Sequence, residues 1–259
     1  MAFIGKSLVI VIAILLCFTP FEHSVFAEDT DEEYLSSLSL ENLNVHVEVR
    51  ATGEGPCFVS LHANETTSIV ASSSFDGTHV RLRHKGGRNV NFSYNGVHYT
   101  FDPNRIFTAT GRAMHVRGSR KPENVVVESV ATLAKQIVAG CGSARPFVGL
   151  HNNTDGSYSF AWYEKGGRLA RDAIETYRAP GQDLDDFVLT TVPAIFARAK
   201  EAGYNAVLQS PEAPDDGSLS VFAAKSGIPY VNVEVETGKL TLQQKMLSVV
   251  LETNWRKES

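Results

Sequence analysis

Apolar and polar residues follow two periods along the chain, and these periods predict strands and helices in alternation. Period-two alternation or short apolar runs predict strands at residues 45–50, 57–62, 79–84, parts of 89–101, 145–151, 204–209 and 228–236. Apolar residues at helical spacing predict helices at residues 123–139, 183–202, 217–226 and 239–252, the second distorted near Pro193. This alternation predicts an α/β fold with helices on both faces of one sheet, and the richer alternation at 79–101 favours a mixed sheet.

Composition narrows the class of protein. The 259 residues are 43% hydrophobic and 20% charged, which is typical of a globular domain and allows one large α/β domain. The formal net charge of −5 argues against a nucleic-acid-binding protein, since such proteins are usually basic.

The N-terminus has the pattern of a secretory signal. Lys6 precedes an uninterrupted apolar run at 8–18, and Val25-Phe26-Ala27 fits a small-x-small cleavage site. We therefore expect a signal peptide at 1–27, a flexible acidic segment at 28–43 and one folded domain at 44–259. A retained anchor is the alternative, but the apolar run is shorter than the ~20 residues that a spanning helix needs. The prediction is an exported protein, periplasmic or secreted, with no stable membrane insertion after cleavage.

Two cysteines remain after the predicted cleavage, Cys57 and Cys141. Export makes a disulfide between them chemically possible, and because each lies at or shortly before the start of a predicted strand, a bridge would fasten two neighbouring strands. Two buried free thiols are an equally good interpretation, because sequence does not show the geometry that a bridge requires.

Polar clusters follow two of the apolar runs. His62 and Glu65 leave the strand at 57–62, and His151 follows the apolar run of the strand at 145–151. Ligands bind at the carboxyl ends of strands in open α/β sheets, so these side chains are expected to meet. Two imidazoles and a carboxylate suit one zinc ion and leave a coordination position for water, as in catalytic sites.

Further residues complete a candidate hydrolytic site. Asn104 and Arg105 offer an amide and a guanidinium that can grip a carboxylate, although the Asp-Pro-Asn sequence before Arg105 also suits a plain turn. Glu234 and Glu236 share one face of a β-branched strand, and either carboxylate is a candidate general base.

Taken in chain order, these motifs resemble the zinc carboxypeptidase superfamily. The sequence around each motif is most similar to the succinylglutamate desuccinylase and aspartoacylase branch of this superfamily. The similar segments are His62-Ala63-Asn64-Glu65, Asp102-Pro103-Asn104-Arg105, Leu150-His151-Asn152-Asn153-Thr154 and the late strand containing Glu234.

The resemblance implies a role for each of these residues. His62, Glu65 and His151 would bind the zinc ion, and Glu234 would be the base, with Glu236 as the alternative. Asn104 and Arg105 would hold a substrate carboxylate. Arg88 is the candidate for polarising the scissile carbonyl, while Tyr158 and Tyr204 are candidates for a tyrosine over the site.

The expected function is therefore an exported zinc-dependent amide hydrolase of metallocarboxypeptidase or deacylase type, with residues 44–259 as its catalytic domain. Its substrates would be small peptides or acylated amino acids with a free carboxylate. The alternatives are a non-catalytic peptide- or metal-binding relative of the same fold and an exported structural protein.

Overall fold

A computed structural model describes residues 33–37, 45–142, 145–253 and 255 of the chain. The predicted signal at 1–27 lies outside the described residues. Strands within the described residues are β1 Glu33–Ser37, β2 His46–Ala51, β3 Cys57–Ser60, β4 Thr78–Arg83, β5 Val90–Tyr94, β6 Val97–Phe101, β7 Arg117–Gly118, β8 Phe147–Asn153, β9 Ala173–Tyr177, β10 Phe187–Thr190, β11 Asn205–Gln209 and β12 Tyr230–Glu236. Helices there are α1 Thr66–Ser72, α2 Ala109–His115, α3 Asn124–Gly140, α4 Pro193–Glu201, α5 Leu219–Lys225 and α6 Leu240–Leu251.

The predicted mixed sheet is confirmed. Nine strands pair in the order β1-β2-β4-β3-β8-β12-β10-β11-β9, and β5, β6 and β7 form a smaller antiparallel sheet. The central pairs β4/β3, β3/β8 and β8/β12 are parallel, so the carboxyl ends of these strands lie at one edge. β2 and β10 run antiparallel to their neighbours β4 and β12, which makes the sheet mixed.

Helices cover both faces of the sheet, as predicted. Apolar residues of α3 and α5 pack in one cluster with Phe147 and Tyr230. Apolar residues of α1, α4 and α6 pack in a second cluster with Val148 and Val233. Successive residues of β8 and β12 thus enter opposite clusters, which is the period-two pattern of a strand buried on both sides. The described residues from 33 onward fall within one compact unit.

The interpretation of residues 183–202 as one helix is wrong. Phe187–Thr190 form the buried strand β10, and the helix α4 begins only at Pro193. Val192 is extended, as the residue before a proline prefers to be, and Pro193 occupies the first turn of the helix, where no amide hydrogen is needed. The proline therefore starts this helix and does not distort it.

Other elements were not predicted. The segment at 28–43 was expected to be flexible, yet Glu33–Ser37 form the strand β1, which pairs antiparallel with β2 and lies at the edge of the sheet. The helices α1 and α2 and the strand β9 follow no clear hydrophobic period. At the tip of the β5–β6 hairpin, Asn95 and Gly96 have φ of 48° and 69°, as a two-residue Asn-Gly turn requires.

Cys57 and Cys141 form a disulfide, which decides between the two interpretations of these residues. The bridge joins the first residue of β3 to the residue that caps the C-terminus of α3. It therefore fastens a helix to the amino end of a central strand, not one strand to another. Among the helices of the described residues, none is both long and apolar enough to cross a bilayer.

Replacing both cysteines (Cys57→Ala with Cys141→Ala) is expected to lower the free energy of unfolding by about 2–4 kcal/mol. The bridge spans a sequence separation of 84 residues, so its loss restores much freedom to the unfolded chain. Denaturant titration measures the effect, and reduction of the unaltered protein serves as the matched control. Equal unfolding midpoints for the oxidised and reduced protein would contradict this role.

Candidate metal centre and active site

Three parallel strands position the candidate residues. His62 and Glu65 follow the end of β3, His151 lies in β8, and Glu234 lies in β12. β8 pairs with both neighbours, and its register places His151 directly beside Glu234. Paired residues of adjacent strands point to the same face, so the imidazole and the carboxylate emerge together.

The structure brings His62, Glu65 and His151 together. Glu65 Oε1 lies 2.8 Å from His62 Nδ1 and 2.9 Å from His151 Nδ1. One ligand atom from each residue lies within 4.8 Å of the others, and all three side chains are buried. The group therefore has the composition and spacing that can hold a metal ion, as expected from the sequence.

Asp102 orients the first imidazole. Its Oδ1 lies 2.8 Å from His62 Nε2 and accepts a hydrogen bond from the backbone N–H of Asn104. Its other oxygen, Oδ2, accepts a hydrogen bond from Arg88. Because the Asp102 carboxylate holds a proton on Nε2, Nδ1 is the nitrogen that would lose its proton and bind a metal. Sequence reasoning treated Asp102 as a turn residue and missed this partner.

The electrostatics of the group favour a bound cation. Burial opposes charge on His62, but hydrogen bonds to Asp102 and Glu65 outweigh it and raise the pKa of this imidazole to about 9. Burial likewise opposes ionisation of Glu65, yet the charges and hydrogen bonds of His151 and His62 lower the pKa of its carboxyl to about 2. The carboxylates of Glu65 and Asp102 thus lie on either side of His62, where they stabilise positive charge.

One buried atom tests whether a metal fits. Within the described chain, Glu65 Oε2 is buried and has no hydrogen-bond partner. A buried carboxylate oxygen without a partner is costly, and a metal ion would satisfy it. Two imidazole nitrogens and a carboxylate are the donor set that zinc accepts, so the residues fit this ion.

Glu234 and Glu236 differ in their surroundings. Glu234 is buried and accepts a hydrogen bond of 2.8 Å from Asn232 Nδ2. Burial raises the pKa of the Glu234 carboxyl, although the nearby charge of His151 and the bond from Asn232 oppose the shift. Glu236 instead forms an ion pair of 2.7 Å with Lys239 at the end of β12. Glu234 lines the cavity beside the metal group, and Glu236 does not.

The predicted carboxylate anchor lies in the same cavity. Arg105 Nη1 donates to Asp216 Oδ2 at 2.7 Å, which leaves its other N–H groups available. The side-chain oxygen of Asn104 accepts from the backbone N–H of Leu219, and its Nδ2 lies 3.4 Å from His151 Nε2. Asn104 therefore also positions the loop before α5 and contacts a metal-ligand candidate.

One cavity of about 540 Å³ contains most of these groups. Tyr158 lines it, whereas Tyr204 is absent from the lining and packs against the apolar cluster on the other face. Sequence reasoning did not identify several other lining residues, among them Trp162, Tyr163, Arg168, Asp172, Gln209, Asp216 and Asn232. Only Asn232 carried a signal, since it shares a strand face with Glu234.

Zinc binding tests the ligand set. We expect about one zinc ion per chain for the unaltered protein, and a loss of most of it in His62→Ala and in His151→Ala, because two remaining ligands hold zinc poorly. Metal analysis of the purified protein after dialysis measures the stoichiometry. His98→Ala, at an exposed position, is the control and should keep its zinc. Full occupancy in both ligand variants would refute the assignment.

Comparisons with known proteins do not assign a family. No family model matches the chain, and no curated protein matches it. Among solved structures, the chain is similar to an aspartoacylase family protein from Mesorhizobium loti, at 13% identity and a TM-score of 0.38. The match covers 85% of this chain and 69% of the other. At this TM-score the likeness carries no conclusion about function, which rests on the described residues alone.

Proposed function

We propose that the protein is a zinc-dependent amide hydrolase of metallocarboxypeptidase or deacylase type. Its substrates are small peptides or acylated amino acids that carry a free carboxylate. One observation carries the proposal: a buried glutamate, Glu234, lines the same cavity as the metal-ligand candidates Glu65 and His151 and as the cationic group of Arg105.

His62, Glu65 and His151 would hold the zinc ion. A bound zinc ion supplies Lewis acidity, which makes water a better nucleophile near neutral pH and polarises a carbonyl group. Asp102 supports this centre by fixing the orientation and the protonated nitrogen of His62.

Glu234 is the proposed general base and acid. It takes a proton from the attacking water and passes it to the nitrogen of the leaving amine as the amide C–N bond breaks. Burial raises the pKa of its carboxyl above the ordinary value, which strengthens it as a base. The hydrogen bond from Asn232 holds the carboxylate in one orientation while the proton moves.

Arg105 and Arg88 are proposed to bind the substrate carboxylate and to stabilise the reacting carbonyl oxygen, respectively. Arg105 binds the free carboxylate of the substrate with the N–H groups that Asp216 does not use, and it thereby sets which bond is cut. Asn104 adjoins this anchor. Arg88 is held beside the metal group by Asp102 and offers positive charge to the carbonyl oxygen that develops negative charge.

We also propose that the protein acts outside the cytoplasm, in the periplasm or as a secreted protein. The apolar run at 8–18 and the small-x-small pattern before residue 28 support export. The disulfide between Cys57 and Cys141 agrees with an oxidising compartment.

Glu234→Gln is expected to keep zinc at the level of the unaltered protein and to lower kcat by about 100-fold or more. The amide keeps the size and the acceptor oxygen of the carboxylate but cannot take the proton. Steady-state kinetics on acetylated dipeptides with a free C-terminus, together with metal analysis, measures both effects. Glu236→Gln is the matched control on the same strand, and a larger loss there would move the base to Glu236.

Arg105→Ala is expected to lower kcat/KM by about 10- to 100-fold for substrates with a free C-terminus, because a charge-assisted bond is lost. The same peptides with an amidated C-terminus lack that bond and should change little. Arg198→Ala, on the opposite face of the sheet, controls for the loss of a guanidinium. An equal loss on free and amidated peptides would remove the anchor role.

A further inference from the structure

Two acidic side chains lie beside the carboxylate anchor in the candidate active-site cavity. Asp172 and Asp216 both line it, together with Arg105 and Gln209. A site that bound only a carboxylate would be weakened by neighbouring negative charge. The binding of a carboxylate by Arg105 therefore does not account for these two acidic side chains.

Backbone hydrogen bonds fix the position of Asp172. It ends a 3-10 turn at Ala170–Asp172, and its carbonyl oxygen accepts from the backbone N–H of Ser210 at 2.8 Å. The next residue, Ala173, pairs with Gln209 in the register of β9 and β11. Asp172 is thus tied to the end of β11, where Gln209 also reaches the cavity.

In the described part of the chain, the Asp172 carboxylate forms no ion pair, although the charges of Arg171 and Arg105 act on it. Within the described residues, no hydrogen bond reaches its carboxylate oxygens, and Asp216 is already paired with Arg105. Burial, followed by the charge of Asp216, raises the pKa of the Asp172 carboxyl despite the charges of Arg171 and Arg105. Arg168, another cation of the cavity wall, stacks on Trp162 with its guanidinium carbon 3.2 Å from the ring centroid.

The side chain of Gln209, in the same cavity, has a buried oxygen without a partner among the described residues. This oxygen is Oε1, and the side chain is only 5% exposed. A buried amide oxygen without a donor is unfavourable, and a donating ligand group would relieve it. The carboxylate and the amide both accept hydrogen bonds, so the ligand group they fit is a donor with positive charge.

We propose that Asp172, with Gln209 and Asp216, forms a subsite for a primary ammonium group on the residue whose carboxylate Arg105 binds. The proposal rests on the anchor of the proposed function and names its substrate class: peptides or acylated amino acids that end in a residue with an amino side chain. Arg105 binds the carboxylate, and Asp172 and Asp216 bind the ammonium group. The C-terminal residue of the substrate thus pairs with both the positive and the negative charges of the cavity.

Calorimetric titration of the zinc-loaded protein with free L-lysine and with L-norleucine tests the subsite without requiring turnover. The two amino acids share the anchor contacts and the apolar chain but differ in the terminal ammonium group. We expect lysine to bind about tenfold more tightly, as a charge-assisted hydrogen bond predicts. Asp172→Asn should weaken lysine to the level of norleucine and leave norleucine unchanged.

Glu212→Gln is the matched control, since it removes an exposed acid from the neighbouring loop outside the cavity lining. It should keep the preference for lysine. Equal affinities for the two amino acids, or no binding of lysine at millimolar concentration, would overturn the subsite. Preferential lysine binding without hydrolysis of any acetylated peptide would instead remove the proposed activity and leave the subsite standing.

Discussion

The carboxylate of Glu65 is the constraint on which the candidate site depends. It is 2% exposed, and a buried carboxylate requires positive charge or donors close by. His62 and His151 provide them from two different strand ends, at 2.8 and 2.9 Å from one oxygen. Because β3 and β8 are parallel neighbours, both imidazoles reach this carboxylate from the same edge. The other oxygen of Glu65, Oε2, has no hydrogen-bond partner among the described residues, and a metal ion would satisfy it.

The alternation of side chains in β12 links this centre to the rest of the cavity. Val231, Val233 and Val235 enter the apolar cluster beneath the sheet, which fixes the strand's register. Asn232 and Glu234 must then face the other side, beside His151. A shift of one residue would bury the carboxylate among aliphatic side chains. The packing of one face therefore determines the chemistry of the other.

Much of this arrangement follows from local pattern, and the rest depends on contacts between distant segments. His62 and His151 were recognisable because each follows an apolar run, and Glu234 because it interrupts one. Residues 187–190 were mistaken for helix because a four-residue apolar run does not distinguish the two structures.

The helix α1 was missed for a related reason. Its sequence, TTSIVAS, is rich in serine and β-branched residues with low helix propensity, so its packing against α6 and the sheet stabilises it instead. The partners of Asp102 and the pairing of Arg105 with Asp216 join segments 40 and 111 residues apart, beyond the reach of any local pattern.

The placement of Glu234 bears on whether the site is catalytic or only binds. A metal-binding or peptide-binding protein needs the three ligands and the arginines, but it gains nothing from a further buried carboxylate. Burial raises the pKa of Glu234, so ionising it in the folded protein costs free energy that an apolar residue at this position would avoid. Asn232 is retained beside it and donates a hydrogen bond to it, while its own Oδ1 is buried without a partner in the described chain. A buried carboxylate with a raised pKa, held in one orientation by Asn232 beside the metal-ligand candidates, suits proton transfer and favours hydrolysis over binding alone.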